Sequence, residues 1–135
     1  MTGEPIEPYL RTEVPPDDAI VVVRGGPIAP DKIVEHARRQ AREYTYRHAP
    51  MYSVSVSLTV GGWEVDALLA GPLSSRSAFA VSTAGAVRAA GFALLPTYAV
   101  PHYDLLLATG EYREAEALLS LFGSPAPNPY KRRGR

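Results

Sequence analysis

From Tyr52 to Val60 apolar and hydroxyl side chains alternate without a break, with Tyr52, Val54, Val56, Leu58 and Val60 on one side and Ser53, Ser55, Ser57 and Thr59 on the other. A period of two is that of a strand half-buried on one face, which turns the serine row to solvent. Before it, the β-branched run AIVVVRGG is stopped by two glycines and reads as a buried strand. Between the two, DKIVEHARRQAREYTYRHA sets Ile33, Ala37, Ala41 and Tyr44 on one helical stripe, with Pro30 in the first turn and Pro50 as the stop.

Further along, WEVDALLAG is a short helix and PLSSRS a loop. AFAVS is a strand, with Ser82 or Thr83 capping the helix AGAVRAA and Gly91 closing it. FALLPTY and HYDLLLA are two strands joined by AVP, a connection that sets Tyr98 opposite His102. GEYREAEALLSLF is a last helix with Tyr112, Leu118, Leu119 and Phe122 turned to the core. The order β-α-β-α-β-α-β-β-α predicts an α+β domain, a single mixed sheet of about five strands with helices packed on it; an α/β arrangement is the alternative.

Length and charge add boundaries. At 135 residues the chain has the size of one domain, and 46% hydrophobic with 21% charged residues is ordinary for a globular protein. Residues 1–18 are acidic and proline-broken and read as a flexible head, 19–123 as the globular domain, and 124–135 as an irregular basic tail ending in KRRGR. The head has neither a basic nor an apolar leader region, and no stretch is apolar enough to span a membrane, so a soluble cytoplasmic protein is expected. Residues 19–130 carry nine bases and nine acids, so no overall field points to nucleic acid. The absence of cysteine excludes disulfides, thiolate metal sites and cysteine nucleophiles.

Two places could carry chemistry. On the strand beginning at His102, alternation puts His102 and Asp104 on one face, about 7 Å apart. Tyr103 goes with Leu105 and Leu107 on the other face. A carboxylate beside a histidine fixes its tautomer and raises its basicity, so His102 and Asp104 are the candidate catalytic pair, with Tyr98 and Tyr103 as neighbours for stacking or hydrogen bonding. The bland alternative is a hairpin end where polar groups meet water. The second place is Arg24, an always-charged guanidinium at a strand end before Gly25 and Gly26, suited to an anion; the alternative is a pairing with Asp17 or Asp18. RGGPIAP lacks the spacing and lysine of a phosphate loop. No metal site or cofactor is expected, since His36 and His48 on one helix would stand about 18 Å apart. Glu35, Arg39, Glu43 and Arg47 form an alternating ladder, leaving Arg38 and Arg42 as a surplus pair that, with Tyr46, could reach phosphates.

VVVRGG, YSVSVSL and the Glu114–Glu116 pair occur in the order of the arginine, Ser-x-Ser and Glu-x-Glu elements that mono-ADP-ribosyltransferases carry, and in that respect the chain resembles them. It departs from them in placing both glutamates inside an amphipathic helix. More broadly, PPDDAIVVVRGG, YSVSV, VSTAGAVRAAGF, LLPTYAVPHY and PNP are similar, in this order, to small uncharacterised proteins of high-GC actinobacteria. That resemblance implies a compact standalone domain and transfers no activity. The leading expectation is a protein that binds a phosphate-bearing ligand, RNA or a nucleotide, with metal-independent ribonuclease chemistry of toxin type as its catalytic form. The rival is a non-catalytic regulatory module, antitoxin-like, that binds a protein partner through its head or tail.

Overall fold

The computed structural model describes residues 4–131. The elements are β1 (Ile20–Gly25), α1 (Pro30–Glu43), β2 (Thr45–Tyr46), β3 (Ala49–Pro50), β4 (Ser53–Leu58), α2 (Val65–Ala70), β5 (Ala78–Thr83), α3 (Ala84–Ala89), β6 (Ala93–Leu95), β7 (His102–Leu106), α4 (Tyr112–Leu119) and β8 (Ala126–Pro127). Six strands make one sheet in the order β6-β7-β4-β1-β5-β8, and β2 and β3 form a separate hairpin. The fold is α+β, with one more strand in the main sheet than the expected five, and every pairing in that sheet is antiparallel.

Both faces of the sheet are covered, which explains why β1 reads as an unbroken apolar run. Val21 and Val23 point into the larger core with Val54, Val56, Leu58, Tyr103 and Leu105, closed by Ile33 and Ala37 of α1, Val87 of α3, and Ala115 and Leu118 of α4. Val22 points the other way, onto Leu68, Leu69 and Leu73 in and after α2. Each such fully buried aliphatic side chain contributes about 1.5–3 kcal/mol relative to exposure.

Three expectations are corrected. The helix ends at Glu43 and not at Pro50, because Arg47 and His48 take left-handed backbone angles (φ 52° and 68°) and turn the chain into the β2–β3 hairpin. His36 and His48 are therefore not on one helix. The serine row does not face solvent: Ser53 and Ser57 are buried, and β7 lies alongside with Asp104 opposite Ser55 and His102 opposite Ser57. Tyr112 is exposed, whereas Leu118 is buried as expected.

Residues 4–18 lie against the domain: the Ile6 N–H donates to the Glu43 carbonyl, the Arg11 N–H to Pro96, and the Tyr98 N–H to Tyr9. Unpaired backbone groups at the sheet edge and beside α1 give this segment its partners. The chain after Gly123 is likewise held. β8 pairs with β5, and buried Asn128 brings its amide nitrogen within 3.1–3.2 Å of the Leu69, Leu73 and Arg76 carbonyls. Of the basic tail, Lys131 donates to the Ser75 carbonyl, and residues 132–135 lie outside the described residues. No helix among the described residues is long and apolar enough to cross a membrane.

Candidate functional site

β1 pairs with β5 along its whole length, up to Gly25, but with β4 only at Val21 and Val22. Beyond Val22 the two central strands separate, and the backbone of Ser55 in β4 loses its neighbour. Two side chains take over. The Arg24 guanidinium donates to the Ser55 carbonyl at 3.1 Å, and the Ser55 N–H points at Nε2 of His36, from α1, at 3.5 Å. A cavity of about 260 Å³ opens at this gap, with Val54 and Ile33 among its lining residues.

Four cations line it: Arg24, Lys32, Arg39 and Arg76. Glu35 is the single acid of the lining and pairs with Lys32 at 3.6 Å. No carboxylate among the described residues lies within 4.0 Å of the Arg24, Arg39 or Arg76 charge. Asp17, the alternative partner for Arg24, pairs instead with Arg88 at 2.5 Å. Burial, then the Arg76 charge, depress the pKa of the Arg24 guanidinium, opposed by Asp104. It stays charged all the same, as arginine does in proteins. Burial also lowers the pKa of His36, helped by the charges of Arg24 and Arg39 and opposed by Asp104, so its imidazole is neutral at pH 7.

The loop after β1 lies against the segment that carries Arg76: a Cβ on Gly26 would stand 2.2 Å from the Ser77 hydroxyl oxygen, so a larger residue there would make that hydroxyl turn away. The N-cap of α1 is Ala29, also in the lining; it makes no side-chain cap, and the Lys32 and Ile33 N–H groups donate to its carbonyl. The positive end of the helix therefore adds to the same field.

The second constellation lies two strands away. Asp104 is buried, and its carboxylate accepts hydrogen bonds from the Ser53 hydroxyl at 3.1 Å and the Thr97 hydroxyl at 2.8 Å. The Thr97 oxygen is 2.9 Å from Nδ1 of His102, whose Nδ1 is also 3.3 Å from the Thr97 carbonyl. Since the Thr97 proton is directed to Asp104 and a carbonyl only accepts, Nδ1 carries the hydrogen. The order is Asp104, Thr97, His102, a carboxylate acting on an imidazole through a hydroxyl. The Tyr98 ring lies 5.6 Å from that of His102 and 6.5 Å from that of Tyr44. Partial burial, then the Tyr44 hydroxyl, push the Tyr98 phenol well above its usual range.

The site residues read from sequence thus fall into separate places. Arg24 lines the cavity, and His102, Tyr98 and Tyr103 do not. Asp104 and His102 do share a network, though Thr97 bridges them. β6 pairs Leu95 with Asp104, one residue off the register that would oppose Tyr98 to His102, and this brings Thr97 to His102 in its stead. Tyr98 sits in the turn with φ 59°. Tyr103 is fully buried, donates its hydroxyl to Glu13 at 3.1 Å and carries the Arg11 guanidinium 5.1 Å above its ring; burial, then Glu13, raise its pKa. It offers no surface to a ligand.

Lys32, His36, Arg39 and Arg76 were not singled out for this site in the sequence. A signal existed for three of them: Lys32, His36 and Arg39 stand at i, i+4 and i+7 of the helix that follows Arg24. Arg38 and Arg42 border a different depression of about 480 Å³ with Tyr52 and Glu111. Glu114 accepts the Ala108, Thr109 and Gly110 N–H groups at 2.5–2.9 Å, which gives it a structural task at the start of α4. Among the described residues no three histidine, aspartate or glutamate side chains are grouped to hold a metal ion. What fold and site define together is an antiparallel α+β domain with a cationic cavity at a strand end. Comparison of the chain with family models, curated proteins and solved structures finds no match.

Proposed function

We propose that the protein binds a phosphate-bearing ligand, of nucleotide size or smaller, in the cavity at the end of β1. The observation that carries this reading is the uncompensated charge of the lining: four cations against Glu35, in a chain whose bases and acids balance overall. Arg24 is the anchor. It is half-buried and held by Ser55, so its remaining donors are oriented before a ligand arrives, as bidentate recognition of a phosphate requires. At about 260 Å³ the cavity lies just below the usual range of small-molecule pockets, which suits a phosphate group with a small body attached. RNA fits this reading through a single nucleotide end.

His102 lies outside the lining, so ribonuclease chemistry has no support from this cavity; the reading is one of binding. Titration calorimetry with inorganic phosphate, nucleoside monophosphates and a short single-stranded RNA tests it. Binding by the wild type that weakens at least about tenfold in a folded Arg24→Gln variant is expected, since loss of one charge-assisted contact is worth about 1.5–3 kcal/mol. No binding of any of the three, or equal binding by Arg24→Gln, overturns it.

The rival reading, docking of a protein partner, is favoured by Ile6, Tyr9 and Val14, apolar side chains left 62%, 69% and 81% exposed on the N-terminal segment. Pull-down by the wild type that is lost on Tyr9→Ser with Val14→Ser, while anion binding is absent, would favour it.

A further inference from the structure

The inference rests on the reading of the cavity as a phosphate site and concerns which phosphate it takes. We propose that the cavity is built for a dianion, the terminal phosphate of a phosphomonoester and not an internal phosphodiester, and that His36 takes up a proton when the dianion binds. The charge count gives the first half. Arg24, Lys32, Arg39 and Arg76 against Glu35 leave three positive charges in excess. A diester brings one negative charge and leaves most of that excess in place, whereas a monoester brings close to two at neutral pH.

The second half follows from the place of His36. Its ring faces Arg24 from β1, Arg39 and the Lys32–Glu35 pair from its own helix, Arg76 from the segment before β5, the Ser55 backbone from β4 and Asp104 from β7. In the free protein Nε2 receives the Ser55 N–H. Protonation at Nε2 would set one donor against another and add a positive charge among three arginines. A bound dianion reverses the charge term, and with the ring turned from Ser55 it relieves the clash of donors as well. It supplies an acceptor for an imidazolium N–H, and its charge outweighs the nearby cations that disfavour the protonated ring. The proton comes from solvent or buffer, no bond to the ligand is made or broken, and nothing is oxidised or reduced.

The sign of the coupling follows. The free His36 titrates below the ordinary 6.5 and the liganded one higher. Between those two values binding takes up a fraction of a proton, so affinity rises as pH falls, by at most tenfold per pH unit. A phosphomonoester is a poor probe, because its own second ionisation lies near pH 6. Sulfate stays a dianion across the window, and dimethyl phosphate is a monoanion that mimics the diester.

The experiment is calorimetric titration of the full chain with sulfate and with dimethyl phosphate, in buffers of different ionisation enthalpy and over a pH series about 6.5. The His36 ring proton is followed by NMR in the same samples. Expected are a preference of at least about tenfold for sulfate, net proton uptake with sulfate, an upward shift of the His36 titration on binding, and a flat pH profile for His36→Gln. Binding of both anions with equal affinity, or sulfate binding with no proton uptake by the wild type, overturns this inference and leaves the phosphate site standing. Binding of neither anion overturns the phosphate reading itself. The buffer comparison needs only the wild type, so an unstable His36→Gln does not remove the test.

Discussion

Thr97 is the residue on which the buried polar network turns. It is fully buried, its hydroxyl donates to Asp104, and the same oxygen receives the His102 ring hydrogen. Valine has nearly its shape and neither function. Thr97→Val leaves an Asp104 oxygen short of a donor and the His102 Nδ1 hydrogen with only the longer contact to the backbone carbonyl of residue 97, a loss of about 1–3 kcal/mol, while Thr97→Ser keeps both hydroxyl bonds and stays within about 1 kcal/mol. Urea denaturation of the three proteins checks this, and equal midpoints for wild type and Thr97→Val would show that the relay contributes nothing. At this scale the sequence was half legible. Alternation along β7 put His102 and Asp104 on one face and Tyr103 in the core, because a period of two is a local property. The bridging threonine was not legible, since the register of β6 against β7 depends on where the turn begins, and a difference of one residue exchanges Thr97 for Tyr98.

Among the elements, the start of α4 is held by bonds from the residues just before it. Glu114 in its first turn draws in three backbone N–H groups from residues 108–110. Partial burial pushes its carboxyl up, but the bonds from Thr109, Ala108 and Gly110 outweigh that and leave its pKa below the ordinary 4.5 of a glutamate. A carboxylate depressed in the folded state adds stability that is present above its unfolded pKa and disappears as pH falls through the folded one. Glu114→Gln is therefore expected to cost about 1–2 kcal/mol at pH 7, with the difference from wild type shrinking as the pH is taken below 4.5. Chemical denaturation at a series of pH values measures it, and a difference that does not shrink in acid would refute the assignment.

Gly110, just before, has φ 69°, and a Cβ there would lie 2.5 Å from the Tyr52 ring. Gly110→Ala should cost about 2–3 kcal/mol from the two effects together, with a Tm several degrees lower by calorimetry. An unchanged Tm would mean that Tyr52 yields freely. The helices and strands themselves were largely legible, because each rests on a short-range period with its own stop signal: Thr83 caps α3 through the Ala86 N–H, and Gly91 follows it at φ 97°. The end of α1 was not, because arginine and histidine are not the residues that ordinarily mark a left-handed turn.

For the whole molecule the class was legible from the order of elements and the assembly was not. Nothing local in β1 says that β4 lies on one side and β5 on the other, or that β4 is released after Val22, and the cavity exists only because of that arrangement. The segments outside the central body looked like linkers because of their prolines, yet their anchors are long-range. Asn128 is the clearest case. Its amide nitrogen reaches the carbonyls of Leu69, Leu73 and Arg76, and its oxygen receives the Tyr130 N–H, so one side chain ties the end of α2 and the loop that follows to the C-terminal segment.

Arg76 is itself part of the cavity lining, which couples this anchor to the site. Asn128→Ala removes the amide and takes the side-chain donor from the Leu69 and Arg76 carbonyls, while that of Leu73 keeps the Arg76 N–H, an expected loss of about 2–3 kcal/mol in urea denaturation. It also frees the backbone that positions one of the four cations. Sulfate affinity should then fall about threefold to tenfold at a temperature where the variant is still folded, a smaller loss than for Arg24→Gln because Arg24 keeps its own support at Ser55. A second variant separates the two effects: Tyr130→Phe loses only the exposed hydroxyl contact to Asp66 and should leave both stability, within about 0.5 kcal/mol, and sulfate affinity unchanged. If Asn128→Ala lowers stability and sulfate affinity holds at the wild-type level, then Arg76 is positioned by something other than this anchor, and the C-terminal segment has no part in the site.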